Sequence, residues 1–342
     1  MKVVTFGEVM MRLIPPGFLR FVQTRSFDVF YAGAEANVAI TLANLNTPVD
    51  FVTCLPENEL GDACKNYIRQ FGVGVNSIIR TSDRLGIYFV ETGAANRGNK
   101  VIYDRANSAF ANIKPDMIDW TKIFSDAKWF HWTGITPAVS ESAAEVCLEA
   151  VKKAKKMGLS VSSDLNYRSK LWKWGKTPEE IMSKLLKYVD VLVCNEEDAE
   201  KVFGIKAPSV NVLKGKIDAN RYSFVAKKLK DRFPNIKYVA FSLRQSINAS
   251  HNKWSGVLYN GKKLYIGPNH DITHIVDRVG AGDAFAAGLI YMLLKKSDPQ
   301  KTLDFATAIS CLKHTIYGDS CVIKLEEVEK LMNGEISGRI SR

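Results

Sequence analysis

The sequence predicts an α/β fold: a doubly wound, mostly parallel sheet with helices on both faces, plus a small β-sheet lid. Three observations predict it. Short apolar runs suited to buried strands alternate with amphipathic stretches of helical period, and two β-like segments interrupt this alternation. The 342 residues and the 46% hydrophobic content are also ample for a buried core. We therefore expect one large layered domain with a smaller sheet attached to it.

The predicted strands of the main sheet are short apolar runs, typical of strands that are buried on both faces. Amphipathic helices fill the intervals between them, as in Glu141–Met157 and Arg221–Arg232. This alternating order favours parallel strands. In chain order, the predicted strands are Lys2–Phe6, Val49–Thr53, Lys128–Trp132, Leu159–Ser163, Val189–Val193 and Tyr238–Ser242.

Two segments lack a helical period and are longer than usual connections. Arg12–Tyr31 carries a Pro-Pro-Gly turn, and Arg84–Arg105 contains the strand-like runs Gly86–Glu91 and Lys100–Asp104. We predict that they form a small β-sheet that projects from the main domain; the alternative is a pair of ordinary surface loops. The predicted lid comprises residues 12–31 and 84–105, and the main domain comprises residues 1–11, 32–83 and 106–342.

The net charge of +11 favours anionic partners. Nucleic acid, an anionic membrane and small anionic substrates would all fit this charge. The lysines are spread over helical segments such as Val151–Gly158 and Ala226–Arg232, which is typical of solvated helix faces. We therefore expect small-molecule substrates, with neither nucleic acid nor a membrane as a partner.

Six cysteines occur without a Cys-x-x-Cys pair, and most of them lie in apolar runs. Buried thiols in a reducing cytosol explain them better than disulfides or a metal site. Met1–Glu8 is typical of a first strand and not of a secretory signal. No apolar stretch approaches the roughly 20 residues of a membrane-spanning helix. We expect a cytoplasmic protein.

The segment Asp277–Phe285, D-R-V-G-A-G-D-A-F, follows an extended stretch and opens the apolar helix Ala284–Leu294. A glycine turn lets backbone N–H groups approach a phosphate, and a helix N-terminus adds partial positive charge. Asp283 would lie beside this anion site, where a carboxylate can take the proton of an attacking hydroxyl. The alternative is a plain glycine turn with Asp283 as a helix N-cap.

Two further segments place polar groups at the start of a helix. Gly33–Ala39 follows an extended run, and Asn37 on its first turn could hydrogen-bond a polyol, although tight helix–sheet packing explains the small residues too. Cys194–Asp198 ends a buried strand in an acidic cluster, which is well placed to hold hydrated Mg²⁺. Carboxylates favoured by the helix dipole are an equal explanation of that cluster.

In the chain order Gly33–Asn37, Asn195–Asp198 and Asp277–Asp283, the three motifs resemble those of the ribokinase-like (PfkB) carbohydrate kinases, and the resemblance spans nearly the whole chain. The element G-A-G-D within D-x-V-G-A-G-D-A-F is its specific part. The resemblance implies a doubly wound α/β domain with a small β lid, and ATP and Mg²⁺ as cofactors. One departure concerns the usual N-x-x-E, which is Asn195-x-x-Asp198 here. Glu197 and Asp198 therefore both stay candidates to hold Mg²⁺ through water.

The resemblance also implies a role for each residue that matches a motif. It implies the catalytic base and the anion hole at Asp283, Gly280, Ala281 and Gly282. It implies nucleotide contacts by Asn195, Ser242, Arg244, Gly280 and Gly282. It implies substrate contacts by Gly33, Asn37, Tyr88, Tyr103, Arg105 and Arg168.

Two arginine-bearing stretches favour an acidic sugar. Tyr103–Ala109 and Asp164–Arg168 resemble the Y-x-R-x-x-S-A and D-x-N-x-R segments of 2-keto-3-deoxygluconate kinases. Two guanidiniums that converge on a cleft would bind a carboxylate with fixed geometry, whereas either one alone is typical of a surface ion pair. Arg12, after the first strand, suits a negative substrate or a contact with the lid. The expected reaction is ATP-dependent phosphorylation of the primary hydroxyl of 2-keto-3-deoxygluconate.

Other functions stay open at this point. A fructokinase or a ketodeoxygalactonate kinase would carry the same motifs, and a sugar-acid sensor without catalysis could share the fold. A nucleic-acid binder would use the net positive charge. We also expect a homodimer through the lid, because a small sheet with one solvated face would leave Phe30, Ile87, Phe89 and Val101 open to a second copy.

Overall fold

The structure, a computed structural model, describes residues 1–207 and 219–335; the rest of the predicted main domain lies outside the described residues. The strands over the described ranges are β1 (Lys2–Phe6), β2 (Met10–Ile14), β3 (Asp28–Ala32), β4 (Val49–Val52), β5 (Cys54–Pro56), β6 (Ile79–Thr81), β7 (Ile87–Glu91), β8 (Lys100–Asp104), β9 (Ala127–Thr133), β10 (Ser160–Asp164), β11 (Val191–Cys194), β12 (Tyr238–Asn248), β13 (His251–Tyr259), β14 (Leu264–Ile266) and β15 (His270–Ile272). The α-helices there are α1 (Ala34–Asn44), α2 (Glu59–Arg69), α3 (Trp120–Ile123), α4 (Ile135–Val139), α5 (Glu141–Lys156), α6 (Pro178–Leu185), α7 (Glu196–Phe203), α8 (Ala219–Arg232), α9 (Ala281–Leu294), α10 (Pro299–Lys313) and α11 (Leu325–Met332).

The main sheet has nine strands in the order β14-β13-β12-β11-β10-β9-β1-β4, with β15 paired to β13. From β4 to β12 every neighbouring pair is parallel, whereas β13, β14 and β15 add antiparallel strands at one edge. The predicted α/β fold is therefore confirmed. The six strands predicted for this sheet are β1, β4, β9, β10, β11 and β12.

Strand β12 is longer than the sequence predicts. The apolar run ends at Ser242, but the strand continues to Asn248 with mostly exposed residues. Hydrogen bonds to β13 extend it, since the two strands form a long antiparallel hairpin. The hairpin supplies backbone partners that an apolar pattern does not reveal.

The side chains of β1 show how the sheet separates two layers of core. Val4 and Phe6 pack into a cluster on one face, and Val3 packs into a second cluster on the other face. Side chains alternate between the faces of a strand, so an all-apolar strand requires cover on both sides. The helices supply that cover, and the β1 side chains that follow Lys2 are all buried.

Helix α9 is apolar on all sides because other helices surround it. It packs against α10 and α1, and a Cβ on Gly288 would lie 2.8 Å from the Ala306 Cα, so glycine permits the close approach of α9 and α10. Across the two described ranges, no helix is long and apolar enough to cross a membrane.

A separate four-stranded sheet has the order β3-β2-β7-β8. The pairs β2–β3 and β7–β8 are antiparallel, and β2 pairs with β7 in parallel. Its inner face carries a small core of Met10, Ala32, Tyr88 and Val90. The two segments that interrupt the α/β alternation therefore meet in one sheet.

Candidate active site

The carboxyl ends of the parallel strands and the small sheet enclose a cleft of about 620 Å³. Residues that follow β1, β9, β10 and β11 line one side, as is usual at the carboxyl edge of a parallel sheet, and β7 and β8 line the other. Every residue predicted for the site lines this cleft: Gly33, Asn37, Tyr88, Tyr103, Arg105, Arg168, Asn195, Glu197, Asp198, Ser242, Arg244, Gly280, Ala281, Gly282 and Asp283.

The turn before α9 is built for close backbone approach. Gly280 has a φ of +85°, and a Cβ there would lie 2.0 Å from the carbonyl oxygen of Asp319, so only glycine fits. The Asp277 carboxylate accepts the N–H of Val279 at 3.0 Å, which fixes the segment that enters the turn. Helix α9 begins at Ala281, so the N–H groups of its first turn, which lack partners within the helix, lie at the cleft.

Asp283 lies on that first turn, partly exposed within the cleft. Asn37 Nδ2 donates to Asp283 Oδ2 at 2.7 Å and orients the carboxylate. Burial raises the pKa of Asp283 to about 6, although the hydrogen bond from Asn37 acts in the opposite direction. Among the described residues, the buried Asn37 Oδ1 has no hydrogen-bond partner.

Arg105 lies beneath the small sheet and already has a carboxylate partner. Its Nε lies 2.8 Å from Oε2 of the buried Glu8, and Ser108 Oγ donates to Glu8 Oε1 at 2.6 Å. Tyr103 stacks on Tyr88 with 5.8 Å between ring centroids, and the Arg105 guanidinium lies 5.8 Å from the Tyr103 centroid. This end of the cleft therefore combines aromatic faces with a fixed guanidinium.

Arg168 is exposed at the cleft and forms no ion pair within the described part of the chain; its Nη1 donates to the Tyr167 carbonyl at 3.0 Å. Burial raises the pKa of nearby Asp164 well above its usual range, and the charges of Asp198 and Asp283 act in the same direction, whereas Arg168 opposes them. An exposed guanidinium without an ion pair in that part of the chain is available to bind an incoming anion.

In the acidic cluster after β11, Asp198 is bound to the backbone, whereas Glu197 is free to contact a ligand in the cleft. Asn195 and Asp198 form a capping box: Asn195 Oδ1 accepts the Asp198 N–H at 2.8 Å, and Asp198 Oδ2 accepts the Asn195 N–H at 3.0 Å. Asp198 Oδ1 also accepts the N–H of Tyr167 at 3.1 Å. Glu197 is exposed and lines the cleft. Both carboxylate oxygens of Asp198 are thus engaged with the backbone, as the helix-dipole explanation expects.

The profile of pfkB family carbohydrate kinases matches residues 1–227 and 255–322, which include the small sheet, the acidic cluster and the glycine turn. The chain belongs to this family. The resemblance stated from the motifs is therefore confirmed.

Individual kinases match over nearly the full length. The chain is 46% identical to the 2-dehydro-3-deoxygluconokinase of Thermotoga maritima, whose crystal structure matches with a TM-score of 0.92 over 98% of this chain and 100% of that one. It is 32% identical to the 2-dehydro-3-deoxygalactonokinase of Haloferax volcanii over 98% of each chain. It is 29% identical to the 2-dehydro-3-deoxygluconokinase of Thermoproteus tenax over 93% of this chain and 90% of that one.

Arg12 joins the small sheet of this carbohydrate kinase to the glycine turn. Its side chain is 1% exposed and forms ion pairs with Asp277, at 2.7 Å, and with Asp319. Tyr88 on β7 donates its hydroxyl to Asp319 Oδ2 at 2.7 Å. Burial opposes the charge of Arg12, but attraction by Asp319 and Asp277 raises its pKa overall. Arg12 lies on β2 of the small sheet and both of its ion-pair partners belong to the main domain, so its side chain links the two parts.

Further guanidinium groups line the kinase's cleft beside β12 and the glycine turn. Ser242 and Arg244 lie on β12, and burial lowers the pKa of Arg244, with Arg168 acting in the same direction. Arg278 Nη2 donates to the carbonyls of Asn248 at 3.2 Å and Ala249 at 2.5 Å. Arginines that lower one another's pKa values favour a polyanion between them.

Four cleft carboxylates of the kinase were not predicted as site residues: Glu8, Glu35, Asp164 and Asp319. Glu8 directly follows β1, and Asp164 ends β10, so the rule that sites lie at carboxyl ends of parallel strands could have found both. Asp319 lies between α10 and α11, and its contacts with Arg12 and Tyr88 cross most of the chain. No local pattern indicates that role.

Proposed function

We propose that this kinase transfers the γ-phosphoryl group of ATP to the primary hydroxyl of 2-keto-3-deoxygluconate, giving the 6-phosphate. The observation that carries the proposal is the placement of Asp283, which is oriented by Asn37 beside the glycine turn. The 46% identity to a 2-dehydro-3-deoxygluconokinase over 98% of the chain supports the choice of substrate.

Asp283 would act as the general base. A carboxylate with a pKa of about 6 is largely ionised at neutral pH and is a stronger base than an ordinary aspartate. Asn37 would hold the carboxylate through Nδ2 and accept a sugar hydroxyl at Oδ1. The attacking hydroxyl then gives its proton to Asp283. At the same time the hydroxyl oxygen forms a bond to the γ-phosphorus, and the bond from that phosphorus to ADP breaks.

The glycine turn would bind the transferring phosphoryl group. Backbone N–H groups of Gly280, Ala281 and Gly282 lie at the start of α9, where the helix dipole adds partial positive charge. Asn195, Ser242 and Arg244 lie along the same cleft and would contact the nucleotide. Their fixed positions would stabilise developing charge without reorganisation during transfer.

Glu197 fits a hydrated Mg²⁺ better than Asp198 does. Its exposed carboxylate lines the cleft, whereas both Asp198 oxygens accept backbone N–H groups. We therefore propose that Glu197 holds Mg²⁺ through water, a mode that this ion favours. When bound, Mg²⁺ would neutralise charge on the ATP phosphates.

Arg105 and Arg168 would bind the substrate carboxylate. Arg168 forms no ion pair among the described residues, and Arg105 is fixed by Glu8. Glu8 already pairs with the Arg105 guanidinium, whereas the exposed Arg168 guanidinium has no ion pair in the described chain and could pair with the carboxylate of an acidic sugar. Tyr88 and Tyr103 supply the aromatic wall, and Gly33 allows backbone approach at the start of α1.

Relatives favour one alternative over the others. The 2-dehydro-3-deoxygalactonokinase of Haloferax volcanii is 32% identical over 98% of the chain, so the epimer at C4 is the main competitor. A fructokinase lacks the need for two arginines at the sugar end. A sensor without catalysis has no use for an oriented base such as Asp283.

A substrate panel tests the proposal. ATP-dependent phosphorylation would be measured by coupled assay with 2-keto-3-deoxygluconate, 2-keto-3-deoxygalactonate, fructose and ribose. We expect the highest kcat/KM for 2-keto-3-deoxygluconate. A higher value for the galactonate derivative would move the assignment to that epimer, a preference for fructose would refute the sugar-acid site, and no phosphorylation would support a sensor.

We expect Arg105→Ala and Arg168→Ala to weaken the use of sugar acid more than that of neutral sugar. A lost charge-assisted hydrogen bond costs roughly 1.5–3 kcal/mol, or about a 10–150-fold fall in kcat/KM. Arg105→Ala should show the larger loss because it also leaves the buried Glu8 unpaired. Steady-state kinetics with 2-keto-3-deoxygluconate and fructose measure both effects.

Arginine-to-lysine variants at the same positions are the matched controls. Lysine keeps the charge but not the planar pair of donors, so an intermediate loss is expected. Equal losses on acidic and neutral sugars would show that the arginines only support the structure.

We also propose that residues 12–31 and 84–105 act as a lid that closes over the sugar. The turn between β7 and β8 reaches the β12–β13 turn: Ala249 N–H donates to the Ala95 carbonyl at 2.7 Å, and Ala95 N–H donates to Ser250 Oγ at 3.3 Å. Closure would exclude water that competes for the phosphoryl group. Hydrogen exchange of Gly86–Arg105 should slow when sugar acid binds, and unchanged exchange would contradict a lid.

The outer face of the small sheet supports a homodimer. The strand register places Leu13, Val29, Phe89 and Ile102 on this face, whereas Phe30 and Val101 lie on the cleft side. Val29 and Ile102 are about half exposed, at 49% and 53%, while Phe21 and Phe27 pack on Phe89. A second copy would bury this apolar surface.

We expect sedimentation to show a dimer across the micromolar range and Ile102→Glu to shift it to monomer. Ile266→Glu is the matched control, since Ile266 is 43% exposed on β14 at the far edge of the main sheet. A wild-type protein that is monomeric at every concentration would refute the dimer.

All six cysteines are free in the structure, which supports a reducing, cytoplasmic setting for the kinase.

A further inference from the structure

Lys313, the last residue of α10, is a lysine with no exposed surface. Lysine is almost never fully buried unless its charge is compensated. Its Nζ donates to the carbonyl oxygens of Asp277 at 3.3 Å and Ile316 at 3.2 Å. Asp277 and Asp319 also attract the ammonium through space. No step of the proposed reaction uses this charge, so its position needs a different explanation.

The ammonium lies directly beneath the glycine turn. A Cβ on Gly280 would lie 3.2 Å from Lys313 Cε. The neighbouring carbonyl of His314 accepts the N–H of Val276 at 2.8 Å, so the end of α10 holds the segment that enters the turn at two points. The Asp277 backbone is thus fixed by Lys313, while its carboxylate is fixed by Arg12.

The charge of Lys313 also reaches the catalytic base. It acts to lower the pKa of Asp283, against the dominant effect of burial. Burial lowers the pKa of Lys313 itself, and Asp277 and Asp319 oppose that change. The groups that act on Asp283 or respond to its charge are Asn37, Asp164, Asp319, Arg168 and Lys313.

We propose that Lys313 is a positioning residue for phosphoryl transfer, a built-in cation that holds the glycine turn and adds positive charge behind it. Carbonyl oxygens bind potassium ions in proteins in a similar way, so the ammonium fills a place that a free monovalent cation could otherwise fill. This proposal rests on the proposed kinase function. It implies that the wild-type enzyme needs no added potassium or ammonium.

Lys313→Met tests the charge at nearly constant volume. Groups that hold binding residues in place typically contribute about 10–100-fold to activity, and we expect a fall in kcat of that size. The acidic limb of the pH profile of kcat/KM should move to higher pH, because the cation that favours ionised Asp283 is gone. Lys301→Met, at an exposed position on the same helix, is the matched control and should change neither quantity.

Lys313→Ala tests whether a free cation can replace the lysine ammonium. It opens a cavity lined by the Asp277 and Ile316 carbonyls, so ammonium, methylammonium or potassium should restore part of the activity in a saturable manner. Tetramethylammonium chloride, whose cation is too large for that cavity, controls for ionic strength. Lys313→Met fills the space and should show no rescue.

The outcomes separate this proposal from the proposed function. A wild-type enzyme that phosphorylates no sugar of the panel refutes the proposed function. In that case calorimetry with a non-hydrolysable ATP analogue still tests Lys313. An affinity that is unchanged in Lys313→Met overturns the proposed role of this residue. With an active wild type, a folded Lys313→Met enzyme with normal kcat or an unshifted acidic limb overturns the proposal. A wild type that depends on added potassium also overturns it. The Met variant decides the matter even if Lys313→Ala does not fold.

Discussion

Asp283→Asn should reduce kcat by about 10²–10⁴ while the fold and nucleotide binding stay intact, because loss of a general base has a cost of that size. Asparagine has nearly the same shape, and its carbonyl oxygen can still accept the hydrogen bond from Asn37 Nδ2. What it cannot do is accept the proton of the attacking hydroxyl. Steady-state kinetics, nucleotide calorimetry and circular dichroism measure the three properties.

The pH profile gives an independent check of the same assignment. Because the pKa of Asp283 is raised to about 6, the base is protonated below that pH, and kcat/KM of the wild type should fall tenfold per pH unit there. The variant should lack this limb. Its free energy of unfolding at neutral pH should be higher, since the folded state no longer holds a carboxylate whose ionisation burial disfavours.

Asp62→Asn is the control for the general effect of removing an aspartate. Asp62 is 63% exposed, pairs with Arg80 at 2.7 Å and is not among the residues that line the cleft. It should keep wild-type kinetics. If Asp283→Asn retained a near-wild-type kcat, the base would have to be another group, and Asp164 is a further carboxylate of the cleft that interacts with Asp283.

Arg12→Ala should lower the free energy of unfolding by about 3–5 kcal/mol, because removal of one partner leaves buried charges without compensation. Asp277 and Asp319 are each buried and both pair with Arg12. Urea unfolding near neutral pH measures the loss. The difference from wild type should narrow in acid: burial already raises the pKa of Asp277, and loss of Arg12 would raise it further, so protonation would remove part of the penalty.

Arg84→Ala is the matched control for this change. Arg84 pairs with Asp104 at 2.7 Å, but both side chains are exposed, so the pair should contribute little to the free energy of unfolding. A loss for Arg12→Ala no larger than that of Arg84→Ala would show that the buried cluster adds no stability. If Arg12→Ala lowers the free energy of unfolding strongly but leaves nucleotide affinity normal, the role of Arg12 is to attach the small sheet to the main domain.

The main sheet was predictable because most of its parallel strands are short runs of apolar residues. β11, with four buried apolar residues in a row, can only be an interior strand. β13, β14 and β15 were not predicted, since β13 begins with the polar run His251-Asn252-Lys253 and β14 and β15 are only three residues long. Their pairing depends on tertiary contacts with β12 that local sequence does not report.

Residues of the site were predictable where chemistry and local structure coincide. The Gly280 turn and Asp283 are adjacent in sequence and adjacent in the cleft, so a motif captures them. The partners of Arg12 and Arg105 are not local: Asp319 and Glu8 lie far along the chain from them. Sequence reasoning therefore identified cleft residues better than it identified which of their charges are already paired.

The parallel pairing of β2 with β7 constrains the order in which the chain can fold. Met11 pairs with Ile87, and between them lie α1, β4 and α2 of the main domain. Closing so long a loop carries an entropic cost that is recovered only when the main sheet has already brought its ends together. The small sheet should therefore assemble late and open first when the protein is destabilised. A newly synthesised kinase of this topology would complete its cleft last, when the small sheet forms over a main domain that is already folded.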